Sequence, residues 1–161
     1  MSFVGIHMMP TLIVFLACLP LYPALAAGRE PFGHLDIAAF VVTLGAIWLE
    51  ARADKQLKRY RDSSPQQQEF LRSGLWAWSR HPNYCGEILL WIGVALIALP
   101  ALSGWSLVTL ISPVFVYLLL TRISGIPLLK SRSQAKWGDS PEYQAYKART
   151  PVLWFRPPAG S

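Results

Sequence analysis

Four long apolar runs, parted by short polar segments, constrain this chain more than any other feature. Met8–Ala27, Ile37–Leu49, Ile88–Leu99 and Leu107–Leu120 carry no lysine or arginine. The first has about the ~20 residues a spanning helix needs. Backbone crossing lipid must satisfy its own hydrogen bonds, so such runs become helices or closed barrels, and no period-two alternation supports strands. The expected fold is all-α: a multi-pass transmembrane helix bundle of about four spans, with a short cytoplasmic C-terminal helical segment. Residues 1–161 form one membrane domain, with spans near 8–27, 37–51, 83–100 and 105–121 and cytoplasmic segments 52–82 and 122–161.

Composition agrees, because 53% of residues are hydrophobic and only 15% charged. The +6 charge does not read as a nucleic-acid footprint, since the cations flank apolar runs, which is how membrane topology is written. With four spans, the amino terminus, Arg52–Arg80 and Arg122–Arg156 share a side. That side holds every lysine and arginine except Arg29. The positive-inside rule makes it cytoplasmic, in a bacterial-type cytoplasmic membrane with both termini inside. Cys18 and Cys85 are lone thiols with no CxxC spacing, so neither a disulfide framework nor a metal site is expected.

Within the first run, Pro10, Pro20 and Pro23 rule out a straight helix. Ala24–Ala27 resembles the small-residue cleavage site of a signal peptide, but no basic n-region precedes it. Residues 28–36 form a polar connection with Gly28 and Gly33. The second run is short for a ~30 Å core, so its helix is expected to continue into water past Glu50. In that continuation Glu50, Asp54, Lys58 and Arg61 lie on one face, either a solvated face or one wall of a polar ligand site. A loop is expected over Asp62–Gln68 and a tight turn at Ser103–Trp105.

The chemistry concentrates in Ser73–Trp91. Pro82 suits the first position of a helix, because its missing N–H would be unpaired there. The helix that follows aligns Tyr84, Glu87 and Trp91 on one face, with Asn83 beside them. Arg80 and His81 lie just ahead of it. A carboxylate entering a bilayer must face protein, ligand or water, which singles out Glu87. The arginine fork and a helix amino end both favour phosphate, so a polyanionic cofactor fits. A histidine here serves either as proton donor or as phosphate partner. The competing account makes the cations a collar for lipid headgroups, which is the reading preferred for Lys147, Arg149 and Arg156. Trp48, Trp76, Trp78 and Trp105 read as interfacial anchors.

Gly74-Leu75-Trp76, Ser79-Arg80-His81-Pro82-Asn83-Tyr84 and Gly86-Glu87 with Trp91 resemble the carboxy-terminal domain of the steroid 5-alpha-reductases, and most closely its bacterial membrane relatives. Asp54-Lys55-Gln56-Leu57, Ser124-Gly125-Ile126-Pro127-Leu128 and Tyr143-x-x-Tyr146 follow the same order. Arg-His-Pro alone also occurs in isoprenylcysteine and phospholipid methyltransferases; the longer string is specific.

The resemblance implies a membrane reductase that uses NADPH to saturate a carbon–carbon double bond conjugated to a carbonyl, in a lipophilic substrate drawn from the bilayer. By position it implies cofactor contacts from Asp54, Lys58, Arg61, Arg80, His81, Asn83, Arg132, Lys136 and Tyr146. Tyr84 and Glu87 are the groups expected nearest the reaction. S-adenosylmethionine is the alternative cofactor, for a lipid or prenylcysteine methyltransferase. The steroid reductases carry further helices ahead of this domain, so the chain is expected to be a truncated product, a minimal relative, or a half whose missing helices come from a partner subunit. Lys130 also stands where those relatives have glutamate.

Overall fold

The structure is a computed structural model, described over residues 12–27, 32–63 and 69–158. Pro10, Gly28, Arg29 and residues 64–68 of the expected loop lie outside the described residues. Every regular element among the described residues is helical. They are α1 (Leu21–Ala27), α2 (His34–Ser63), α3 (Pro82–Ala98), α4 (Ser112–Leu118), α5 (Gly125–Trp137) and α6 (Pro141–Arg149), joined by 3-10 turns and one π turn. Three helical stretches are long and apolar enough to cross a membrane: His34–Ser63, Pro82–Ala101 and Gly104–Trp137.

The chain divides into two compact units. The first comprises Met1–Leu44 and Ile88–Leu119. Its opening apolar run is broken, as its prolines require: residues 12–17 are helical, a turn follows at 18–20, and α1 begins at Leu21 beside the buried Pro20. Ser112 at the start of α4 donates its hydroxyl to the carbonyl of Ala17. Thr43 of α2 donates to Ala39 O at 2.7 Å. A Cβ on Gly93 of α3 would lie 3.2 Å from Thr43 Cα, so the two helices approach closely there. Asp36 accepts from Gly33 N at 2.7 Å in the first turn of α2, where a carboxylate also meets the positive end of the helix dipole. At 30 residues α2 runs about 45 Å. It therefore outlasts a ~30 Å hydrocarbon core, as the sequence leads one to expect. Gly104 takes a positive φ of 53° at the expected turn, and Ser103 and Ser106 cap each other.

The second unit comprises Gly45–Glu87 and Leu120–Ser161. The segment after Arg122, expected to be cytoplasmic, opens without a loop: the π turn Leu119–Ile123 is followed, after Ser124, by α5. Pro127 falls in the first turn of α5, where its absent N–H breaks no helical bond. Trp76 corrects the interfacial assignment: it is 9% exposed and donates its indole N–H to Ala53 O at 3.3 Å. Trp105, by contrast, is 93% exposed. Phe70, Tyr143 and Tyr146 make a small aromatic core with Trp137 packed against it.

Candidate functional site

All the candidate catalytic and cofactor-binding residues belong to the second unit, and they are positioned from both directions along the chain. Gly74 opens the 3-10 turn Gly74–Ala77 at φ 61°, and the Gln56 side chain lies against its Cα and accepts from Leu75 N at 3.0 Å. The matched Asp54-Lys55-Gln56-Leu57 segment is thereby tied to the turn ahead of Arg80. Trp76 then anchors the turn to α2 through Ala53.

The Arg-His-Pro segment is held from its other side by the carboxy-terminal strap, residues 151–156. Arg80 N donates to Pro151 O at 2.9 Å, and Arg156 N donates to Trp78 O at 3.1 Å. Ser79, fully buried, donates its hydroxyl to Leu153 O at 2.8 Å and accepts from His81 N at 3.2 Å. His81 O accepts from Cys85 N, so His81 caps α3 and Pro82 takes its first position.

The His81 and Tyr84 rings stack, 5.5 Å apart at 15°. Burial, with the Arg80 charge adding to it, lowers the His81 pKa from 6.5 to about 4. At neutral pH the imidazole is therefore uncharged, one nitrogen a donor and the other an acceptor.

Two glycines determine what surrounds Tyr84. A Cβ on Gly86 would lie 2.9 Å from Glu50 N and Cβ, so α3 presses directly on the α2 backbone. A Cβ on Gly125 would lie 2.9 Å from the Tyr84 ring, which packs over the start of α5. The first contact brings the carboxyl groups of Glu50 and Glu87 into a hydrogen bond. Asp54, one turn along α2, acts electrostatically on both Glu50 and Tyr84, and Glu87 acts on Tyr84 as well. Glu50 is the residue the sequence reading left outside its candidate list. Its signal was present: it starts the charged face that includes Asp54.

Arg80 Nε and Asn83 Oδ1 are buried without a hydrogen-bond partner among the described residues. Tyr146 is 5% exposed and its hydroxyl donates to Trp76 O at 2.7 Å, with burial raising its pKa. It therefore acts by fixing the Gly74–Ala77 turn. Lys58 and Arg61 are exposed on α2, and Arg132 and Lys136 are exposed on α5, with Lys136 lying 4.9 Å over the Trp137 ring. No group of three or more metal-ligating side chains is found among the described residues, and Cys18 and Cys85 are free.

Comparison with known proteins gives a match over residues 1–150 to a family described as protein of unknown function, DUF1295. The chain is also similar to "Uncharacterized protein C594.04c" of Schizosaccharomyces pombe, at 29% identity over 141 residues. That alignment covers 74% of this chain and 41% of the yeast protein, so the chain spans about two fifths of this relative's length. No solved structure matches.

Proposed function

The chain belongs to the DUF1295 family, and from the geometry at the start of α3 we propose that it is a membrane oxidoreductase that binds NADPH. Its reaction would reduce a carbon–carbon double bond conjugated to a carbonyl in a steroid- or isoprenoid-like substrate, with both basic segments on the cytoplasmic side. The resemblance of the Ser79–Glu87 string to the steroid 5-alpha-reductase carboxy-terminal domain supplies the reaction class.

The observation that carries the reading is the pair of orphaned atoms, Arg80 Nε and Asn83 Oδ1. An unpaired buried polar group costs about 1–3 kcal/mol, so a ligand that satisfies both is stabilised by doing so. One atom donates and the other accepts. A nicotinamide carboxamide offers the complementary acceptor and donor, whereas a phosphate offers acceptors alone. The residues present fit the cofactor on that count. The exposed Lys58 and Arg61 suit its phosphates, and Asp54 a ribose hydroxyl; Arg132 and Lys136 are the more distal candidates. Bound NADPH supplies the hydride. The protein's own part is to orient the reactants and to place a polar group, Tyr84 or Glu87, where oxyanion charge develops. The neutral His81 holds the Tyr84 ring by stacking.

The test is equilibrium binding of NADPH and of S-adenosylmethionine to the purified chain, beside Arg80→Ala and Asp54→Ala. NADPH is expected to bind and S-adenosylmethionine to fail. Each substitution should weaken NADPH binding about 10- to 100-fold, the equivalent of losing a hydrogen bond to a charged group. Equal binding by all three proteins overturns the site. Selective binding of S-adenosylmethionine replaces the reductase with a methyltransferase. NADPH binding without turnover of an enone identifies a cofactor-binding half that needs a partner subunit.

A further inference from the structure

The carboxy-terminal strap that holds the Arg-His-Pro segment is tied to one end of a span. Pro82–Ala101 is 20 residues long and apolar enough to cross a membrane. At 1.5 Å per residue such a stretch covers about 30 Å, the thickness of a hydrocarbon core, so Pro82 marks the edge of that core. The strap runs back along the residues just ahead of it: Pro151 O accepts from Arg80, Leu153 O from Ser79, and Trp78 O from Arg156. Residues 151–156 are thereby held at the level where acyl chains give way to headgroups.

The side chains found there suit that level. Leu153 is buried and ties the strap down, while its neighbours Val152, Trp154 and Phe155, together with Trp78, are between 38% and 55% exposed. Large apolar groups exposed along one short segment mark a contact surface, and indoles in particular settle where one end can be apolar and the other wet. The accompanying charge is of one sign. Arg149 and Arg156 are exposed beside the aromatics, and no aspartate or glutamate follows Glu142 or falls within residues 73–83. Basic groups next to a membrane-spanning helix are drawn to anionic headgroups.

We propose that the strap, together with Trp78, is a contact surface for anionic lipid in the bilayer that α3 crosses. Trp78, Trp154 and Phe155 sit among the upper acyl chains and headgroups, and Arg149 and Arg156 meet lipid phosphates. The contact reaches the candidate site through the main chain, because the strap bonds Arg80 directly and His81 by way of Ser79. Anionic lipid therefore steadies the strap, and with it the Arg-His-Pro segment. This holds whether or not the Arg80–Glu87 cluster binds a nicotinamide cofactor.

The test uses the full chain in lipid nanodiscs, made either of phosphatidylcholine alone or of equal parts phosphatidylcholine and phosphatidylglycerol. The emission lost on Trp154→Phe isolates that indole, and phosphatidylcholine with brominated acyl chains should quench it about twofold, as expected of an interfacial tryptophan. Amide exchange at positions 80 and 156, whose N–H groups make the strap's main-chain bonds, should be about 10-fold slower in the discs with phosphatidylglycerol. High salt should remove that difference, and so should Arg149→Gln/Arg156→Gln. Trp154 emission untouched by brominated lipid would place the strap in water or against a protein partner, and overturns the proposal. Equal exchange of wild type in the two lipids overturns it without any variant. So does an undiminished lipid dependence in a double variant that melts like wild type.

Discussion

The imidazole of His81 lies nearly parallel to the phenol of Tyr84, ring centres 5.5 Å apart, across the first turn of α3. Stacking of this kind, on a histidine buried beside Arg80, ties the protonation of one side chain to the placement of the other. The folded protein holds His81 near a pKa of 4, against 6.5 when unfolded. Between those values the unfolded chain binds more protons, so stability is intact above pH 6.5 and falls as pH drops toward 4, by up to about 3 kcal/mol. Thermal melting in detergent between pH 4 and 7 should show that acid limb, and His81→Gln should flatten it. An equally steep limb in the variant would place the titration elsewhere.

The contact of Gly86 with the α2 backbone makes a sharper steric prediction. Gly86→Ala puts a methyl group 2.9 Å from Glu50 N, where a main-chain atom cannot move aside, so a cost of about 1–3 kcal/mol is expected. Gly45→Ala is the internal control. It lies in the same α2, is exposed and has nothing within 4 Å of the added carbon. It should stabilise by roughly 0.5–1 kcal/mol through helix propensity. Denaturation midpoints of the two variants should move in opposite directions.

Glu50 and Glu87 separate charge from hydrogen bonding. Glu50→Gln keeps a donor for the Glu87 carboxylate and should leave melting within a few degrees of wild type. Glu50→Ala removes the bond, at about 1–3 kcal/mol. Identical melting of the two variants would show that the pairing contributes nothing.

Much of this architecture was legible because its signals are local. Pro82 marks the start of α3, the prolines of the first run break it at 18–20, and the charged face after Glu50 continues α2 beyond a bilayer's reach. Arg80, His81, Asn83, Tyr84 and Glu87 could be named from a single string for the same reason. Trp76 could not be placed, because an aromatic with a polar tip suits an interface and a bonded core position equally well. The Glu50–Glu87 pairing depends on how closely two helices approach, and that is decided by Gly86 meeting a backbone 36 residues away in the chain. Only packing reveals a relationship of that kind. Tyr146 shows the same limit: spacing marks it as a motif residue, while its bond to Trp76 O, 70 residues apart, is what assigns its hydroxyl to the core.

Ser79 joins the two parts of the chain that hold the candidate site, and its replacement should be felt at both. Its hydroxyl donates to Leu153 O, 74 residues away, and accepts from His81 N. Ser79→Ala leaves a buried carbonyl and an N–H unpaired together. Each such loss costs about 1–3 kcal/mol, and the added methyl-sized void is negligible beside it. The strap then keeps only its main-chain bonds, Arg80 N to Pro151 O and Arg156 N to Trp78 O. Hydrogen exchange should therefore accelerate at His81, Arg80 and Arg156 in the variant while the amides of α2 stay protected, because local opening follows the bonds that are lost. Ser79→Thr retains the hydroxyl and should restore protection if its extra methyl group is accommodated. Uniform acceleration across α2 as well would mean that Ser79 supports the whole unit rather than the strap.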